Sequence, residues 1–287
     1  MLGGSGMLGS ELVSELNGRG HGVEAPTRDE IDIADPVSVA SLASRAFDWC
    51  FNCAAYTAVD QAESEPDGAI AANALGPSYL ARVCHMAGAR LIHMSTDFVF
   101  DGASEEPYTE EQPTNPLGVY ARSKRDGEEA VLGSNPDAIV VRTAWLYGAN
   151  GRCFPKTMIA AWLAGKRLRV VSDQVGSPTY AADLAVELAL IAESGLAGGV
   201  YHAAGPDIMS WHDLAMLAIE TYRDEVLREA RQVDIEAIST ADWPTPARRP
   251  LFSALSSQKL AFAGIGPMRS TKEAMLEFVH RIGKGPV

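Results

Sequence analysis

Apolar residues run in short blocks through the first half of this chain. The blocks alternate with stretches in which apolar positions recur every third or fourth residue. Blocks at 48–55, 90–95 and 138–143 have the length of buried strands, and the last is rich in Val and Ile. Leu8, Leu12 and Leu16 share one helical face, closed by Gly18 and Gly20. Further helices are predicted over 36–47, with Pro36 at the start, over 63–87 and over 116–132. Segments 23–25 and 31–33 are shorter strand candidates. The alternation predicts a doubly wound α/β domain, a parallel (Rossmann) sheet with helices on both faces.

Beyond Tyr147 the pattern loosens. Helices are predicted over 154–164 and 182–192, strands over 168–171 and 199–203, and a loop over 172–179. Ser210 and Asp213 have capping-box spacing and open a helix to about Tyr222. Pro244, Pro246 and Pro250 keep 241–250 in a loop. The expected division is a dinucleotide-binding domain from 1–148 and 179–204, with a smaller substrate lobe from 149–178 and 205–287.

In such sheets ligands bind outside the carboxyl ends of the strands. Four predicted strand ends carry glycines or polar groups, at 3–9, 54–57, 95–97 and 143–145. Gly3, Gly6 and Gly9 have the spacing of a turn that seats a pyrophosphate on a helix N-terminus. Only Met1 and Leu2 stand ahead of that turn, so the expectation is either apolar residues upstream or a shortened strand ending at Leu2. Tyr120 and Lys124 lie one helical turn apart, where an ammonium would lower the pKa of the phenol and make it a usable acid. Thr96 offers a hydroxyl to hold a carbonyl oxygen. Together these parts suit hydride transfer to a ketone.

Composition narrows the class. The chain has 287 residues, 47% hydrophobic and 21% charged, and a formal net charge of −13. That charge argues against nucleic acid as partner. No apolar run approaches the ~20 residues of a membrane span, and no signal-like segment opens the chain, so a cytoplasmic protein is expected. Cys50 and Cys53 fall in an apolar block without a second ligand pair and read as reduced, metal-free structural thiols. No metal ligands are assigned from the residues. His93 reads as a satisfied core residue, and Glu128 with Glu129 as a solvated helix face.

Longer motifs carry a resemblance. The stretch 52–63 reads Asn-Cys-Ala-Ala-Tyr-Thr-Ala-Val-Asp-Gln-Ala-Glu, 95–102 reads Ser-Thr-Asp-Phe-Val-Phe-Asp-Gly, and 142–148 reads Arg-Thr-Ala-Trp-Leu-Tyr-Gly. Asp-Gln-Val-Gly-Ser-Pro-Thr follows at 173–179 and Pro-Thr-Pro-Ala-Arg-Arg-Pro at 244–250. Over nearly its whole length the chain resembles the dTDP-4-dehydrorhamnose reductase family of the extended short-chain dehydrogenase/reductases. The resemblance implies NADPH-dependent reduction, with NADH also usable, of the C4 ketone of a nucleotide-linked 6-deoxy sugar. It implies a cofactor site at Gly3, Gly6, Met7, Leu8, Asp32, Ile33, Ala54, Ala55, Tyr56, Tyr120 and Lys124, with Asp32 and Ile33 at the adenine end. It implies a substrate site at Thr57, Val59, Asp60, Thr96, Asp97, Tyr120 and Trp145. Thr96, Tyr120 and Lys124 are the implied catalytic residues. A homodimer and a magnesium ion are compatible with the family, the ion without assigned ligands.

The chain departs from the family pattern at Phe98, where Tyr is usual, at Ala121, where Gly is common, and at Ala254, where a basic residue is common. Arg28, with Thr27, follows the second strand candidate and suits the 2′-phosphate of NADPH. Of Arg248 and Arg249, one is expected to face the cleft, and Trp145 is expected to stack on a ligand. Two other readings stand beside this one: a reductase or epimerase of a different nucleotide sugar, and a non-catalytic, cofactor-binding regulatory subunit resembling the methionine adenosyltransferase beta subunit.

Overall fold

A computed structural model describes residues 1–283 of the chain. Its central sheet is parallel throughout, with strands β1 (Trp49–Asn52), β2 (Arg90–Thr96), β3 (Ile139–Thr143) and β5 (Gly199–His202) side by side in that order. Alternate residues face two separate cores. Phe51, Ile92, Met94, Ile139 and Val141 pack on helices α1 (Met7–Gly18) and α5 (Ala181–Glu193). Cys50, Leu91 and Val140 pack on the opposite side with α2 (Gly76–Ala87) and α3 (Val119–Ser134). Because both faces are covered, the strands read as unbroken apolar blocks.

The shorter pieces differ from expectation. Segments 23–25 and 31–33 are not strands. Ahead of α1 only Leu2 pairs, in a single parallel bridge with Asn52, so 23–25 has no full neighbour to pair with. The helix expected over 36–47 is a turn, Pro36–Ala40 capped by Asp35, followed by a 3-10 segment to Ser44. The helix expected over 63–87 starts at Pro66 and carries a π segment, Ala71–Leu75, before α2. The helix predicted from 116 begins at Val119, with Gly118 as its N-cap.

A third core gathers α4 (Phe154–Leu163), α6 (Trp211–Tyr222) and α7 (Thr271–Ile282) around Tyr147, Tyr180 and Phe278. Strands β4 (Leu168–Val171) and β6 (Ile235–Ile238) pair in parallel beside it. Ser210 and Asp213 do form the capping box that opens α6.

Two further expectations are corrected. Glu128 is buried: its carboxylate accepts from Arg142 at 2.8 and 2.6 Å across the α3–β3 interface. His93 is buried with Nδ1 on the Asn52 amide at 2.9 Å, but its Nε2 has no partner. The four cysteines are unpaired, and burial pushes the Cys53 thiol up to about 12.

Candidate active site

The glycine turn is built by close approach. Gly3 has φ +75°, and a Cβ there would lie 2.7 Å from the backbone of Cys53 and Ala54. A Cβ at Gly9 would lie 2.1 Å from the Gly3 carbonyl, so α1 could not seat against the turn with any larger residue. Gly6 caps α1 without a side-chain acceptor, which leaves first-turn N–H groups, those of Met7 and Leu8 among them, free for an anion. This cradle fits a dinucleotide pyrophosphate.

Beside it, the loop after β1 carries Ala54, Ala55, Tyr56, Thr57 and Val59, with Ala55 and Thr57 exposed. Asn73, in the π segment, grips this loop. Its Oδ1 accepts from the Tyr56 N–H at 2.8 Å and its Nδ2 donates to the Tyr56 carbonyl at 3.0 Å. Nδ2 also donates to Ser123 Oγ at 3.0 Å, and Ser123 lies on the helix of Tyr120 and Lys124. Asn73 and Ser123 were not among the residues picked from the sequence. A lone Asn in an otherwise apolar helical segment was the available signal. The π segment around it is of the kind that recurs at functional sites.

Thr96 ends β2 and faces Tyr120, the second residue of α3. Its hydroxyl donates to Asp97 Oδ1 at 2.9 Å and accepts from the Phe98 N–H at 3.2 Å. Burial pushes Tyr120 up to about 12, against the pull of Thr96. Lys124 is also buried, donates to the Met94 carbonyl at 2.6 Å and is lowered by burial to about 8. The expected lowering of Tyr120 by Lys124 is therefore corrected: in this structure burial governs the phenol, and the ammonium points at β2. Asp97 is pushed up to about 6 by burial, with Ser253 and Thr96 opposing the rise, and its Oδ2 is unpartnered. Ser253, from the C-terminal loop, was not foreseen.

A cavity of about 360 Å³ opens beside this cluster, lined among others by Asp60, Phe98, Trp145, Trp211 and Arg249. Phe98 meets Tyr120 edge-on at 5.9 Å. Asp60 accepts from Arg249 at 2.9 Å and from the Ala247 N–H at 3.1 Å, which fixes the proline-rich loop over the cavity. Arg249 is thus the arginine facing the cleft, while Arg248 is exposed. Trp145 has φ 44° and stacks on Trp211 at 3.6 Å. Its stacking partner is a protein ring where a ligand was expected, although it still lines the cavity.

At the far end, Arg28 is exposed and pairs with Asp32 at 3.3 Å. Asp32 also accepts from the Ala34 N–H at 2.9 Å. The Ile33 side chain is buried in the core, so it has only backbone to offer a ligand. Among the described residues, no group of three or more His, Cys, Asp and Glu side chains stands where it could hold a metal ion. No helix there is long and apolar enough to cross a membrane.

Residues 1–283 match the family model described as the RmlD substrate binding domain. The chain belongs to this family. An RmlD relative, the dTDP-4-dehydrorhamnose reductase of Mycobacterium tuberculosis, is 44% identical over 280 residues, 96% of this chain and 90% of the relative. Another of that name from Streptomyces griseus is 43% identical, over 96% of this chain and 91% of the relative. Among solved structures, the dTDP-4-dehydrorhamnose reductase of Bacillus anthracis in complex with NADP superposes with a TM-score of 0.90 at 33% identity, covering 96% of each chain. The RmlD fold accounts for the parallel sheet, the glycine turn and the cleft at its edge, and the chain is a nicotinamide-dependent oxidoreductase of this group.

Proposed function

We propose that this chain reduces the C4 ketone of dTDP-4-dehydro-L-rhamnose to dTDP-L-rhamnose, with NADPH preferred over NADH. The observation that supports the reading is the contact of Thr96 and Tyr120 with Phe98, which lines a cavity together with Arg249.

Gly6, Met7 and Leu8 would hold the pyrophosphate by backbone N–H groups, and Ala54, Ala55 and Tyr56 would border the nicotinamide half. When bound, the cofactor supplies the hydride. Tyr120, held near 12 by burial, is protonated at neutral pH and so carries the proton that the carbonyl oxygen needs. Thr96 would orient that oxygen by turning its hydroxyl proton away from Asp97 Oδ1. Lys124, still mainly an ammonium at pH 7, offers a donor to a ribose hydroxyl. Arg249, preset by Asp60, suits a diphosphate. Thr57, Val59, Asp60, Asp97 and Trp145 would border the sugar, and Asp32 and Ile33 the adenine. The lobe division at 149–178 and 205–287, a homodimer and a cytoplasmic location belong to the same proposal.

Phe98 favours a second reading, another nucleotide-linked keto sugar. Beside Tyr120 it removes a hydroxyl that the family usually offers the substrate. NADPH consumption should be followed with a panel of dTDP- and UDP-linked keto sugars and both reduced cofactors. Turnover of the dTDP-rhamnose precursor supports the first reading, and faster turnover of another sugar supports the second. No turnover with any of them, despite cofactor binding, would leave the regulatory-subunit reading.

A further inference from the structure

Trp145 stands between two strand pairings. Thr143 ends β3 opposite Thr96, and Leu146 begins a short parallel pairing with Thr179. Between them the backbone turns through a left-handed residue, Trp145 at φ 44°, whose carbonyl accepts from the Thr179 N–H at 3.2 Å. Bulky side chains rarely adopt this conformation, and it persists here because the pairings on both sides fix it. The bend therefore lies at the end of the sheet that carries Thr96.

The backbone aims the Trp145 indole, and residues of other segments fix the ring. Trp211 lies on it face to face, with centroids 3.6 Å apart and planes within 4°. No ligand fits between rings at that spacing. A Cβ at Gly176 would lie 2.5 to 2.8 Å from Cε2, Nε1 and Cζ2 of the same indole. Gly176 and Trp211 are themselves tied together, since residues 175–176 pair antiparallel with 209–210. The Ser210–Asp213 capping box then makes Trp211 the first residue of α6, and Phe154 meets its ring edge-on at 4.6 Å. Trp145, Trp211 and Phe154 all line the cavity beside Phe98.

We propose that Trp211 is a positioning residue for the sugar end of this cavity, acting through Trp145. Its stack holds the Trp145 indole as a fixed wall for the keto sugar, and glycine at 176 is what lets that ring fit. The inference rests on the reading of this cavity as the keto-sugar site. Without Trp211 the indole would have a ring-sized void to swing into. The sugar would then have to order that wall as it bound, and affinity would fall by the cost of doing so. A pair that served only to fill the core would weaken folding without acting on the sugar through Trp145.

The test is a double-mutant cycle at saturating NADPH, with whichever keto sugar of the panel the parent turns over fastest. Trp211→Ala should raise the sugar KM about tenfold or more and lower kcat less, with the Kd for NADPH within about twofold. Trp211→Phe keeps a stacking ring and should recover most of that loss, while Gly176→Ala should reproduce it. In a Trp145→Ala background, Trp211→Ala should add less than about twofold, because its effect passes through the missing indole. Should Trp211→Ala not fold, Trp211→Leu takes its place in the cycle. The Kd for dTDP alone should change less than about threefold, since the wall stands at the sugar end. Independent, multiplying effects of the two substitutions would overturn the proposal, and so would a loss of dTDP affinity equal to the loss for the sugar. An unchanged sugar KM in Trp211→Ala would overturn it too, with the substrate reading intact. No turnover of any sugar by the parent would instead bring down that reading, and this inference with it.

Discussion

Asn73 clasps the backbone of Tyr56 with both ends of its amide, at 2.8 and 3.0 Å, while fully buried under the loop after β1. Through Ser123, which donates to the Tyr120 carbonyl at 2.8 Å, the same amide ties that loop to the helix of Tyr120 and Lys124. Substituting Asn73→Ala leaves the Tyr56 N–H and carbonyl without their partner, a loss of about 1–3 kcal/mol. The expected result is a Tm lower by several degrees and a Kd for NADPH raised roughly tenfold or more, measured by calorimetry. Unchanged cofactor affinity would show that the clasp serves folding alone.

Tyr120→Phe removes the proton while keeping the ring against Phe98. Turnover should fall by about 10²–10⁴ with cofactor affinity retained. A kcat near that of the parent protein would remove Tyr120 from the acid role.

Lys124 should set the alkaline limit. Burial lowers its pKa to about 8, so the ammonium is lost as pH rises through that value. Plotted against pH, kcat/KM should decline above about 8, and Lys124→Met should abolish that limb along with most activity. A profile flat to pH 10 would contradict the role given to its charge.

Cofactor preference should turn on Arg28. Its exposed pair with Asp32 is worth little in water, so a 2′-phosphate can compete for the guanidinium. Arg28→Ala should raise the KM for NADPH and leave that for NADH nearly unchanged. Equal effects on both, or a parent preference for NADH, would rule this out.

Glu187 is buried, with Oε2 unpartnered and its carboxyl pushed up to about 7 by burial, Asp183 adding to the rise. A raised folded-state pKa means that the folded protein binds the extra proton between about 4.5 and 7. Stability from this group is therefore lost as pH rises through that window. Glu187→Gln lacks the proton, so its stability relative to the parent should improve from pH 5 to pH 8 by about 1–3 kcal/mol, read by urea unfolding. A pH-independent difference would show that Glu187 does not titrate there.

Much of this protein is legible in the chain itself. Unbroken apolar blocks marked β1, β2 and β3, because a strand covered on both faces needs apolar residues at both parities. Gly3 and Gly9 announced their turn, since no other residue fits against the Cys53 and Gly3 backbones. Tyr120 and Lys124 were legible from helical spacing, and a rigid proline-rich loop offered Arg248 or Arg249, between which the Asp60 pairing decided. What the tertiary structure decided lies in contacts between distant segments. Glu128 looked solvated until β3 brought Arg142 to it. Trp145 looked free to stack on a ligand until α6 supplied Trp211. Residues 23–25 have strand composition, yet a strand exists only through its neighbours, and among the described residues no ladder forms beside them. Lys124 was read by its distance from Tyr120 along the helix, but burial and the Met94 carbonyl, features of the packed sheet, set its charge and its direction.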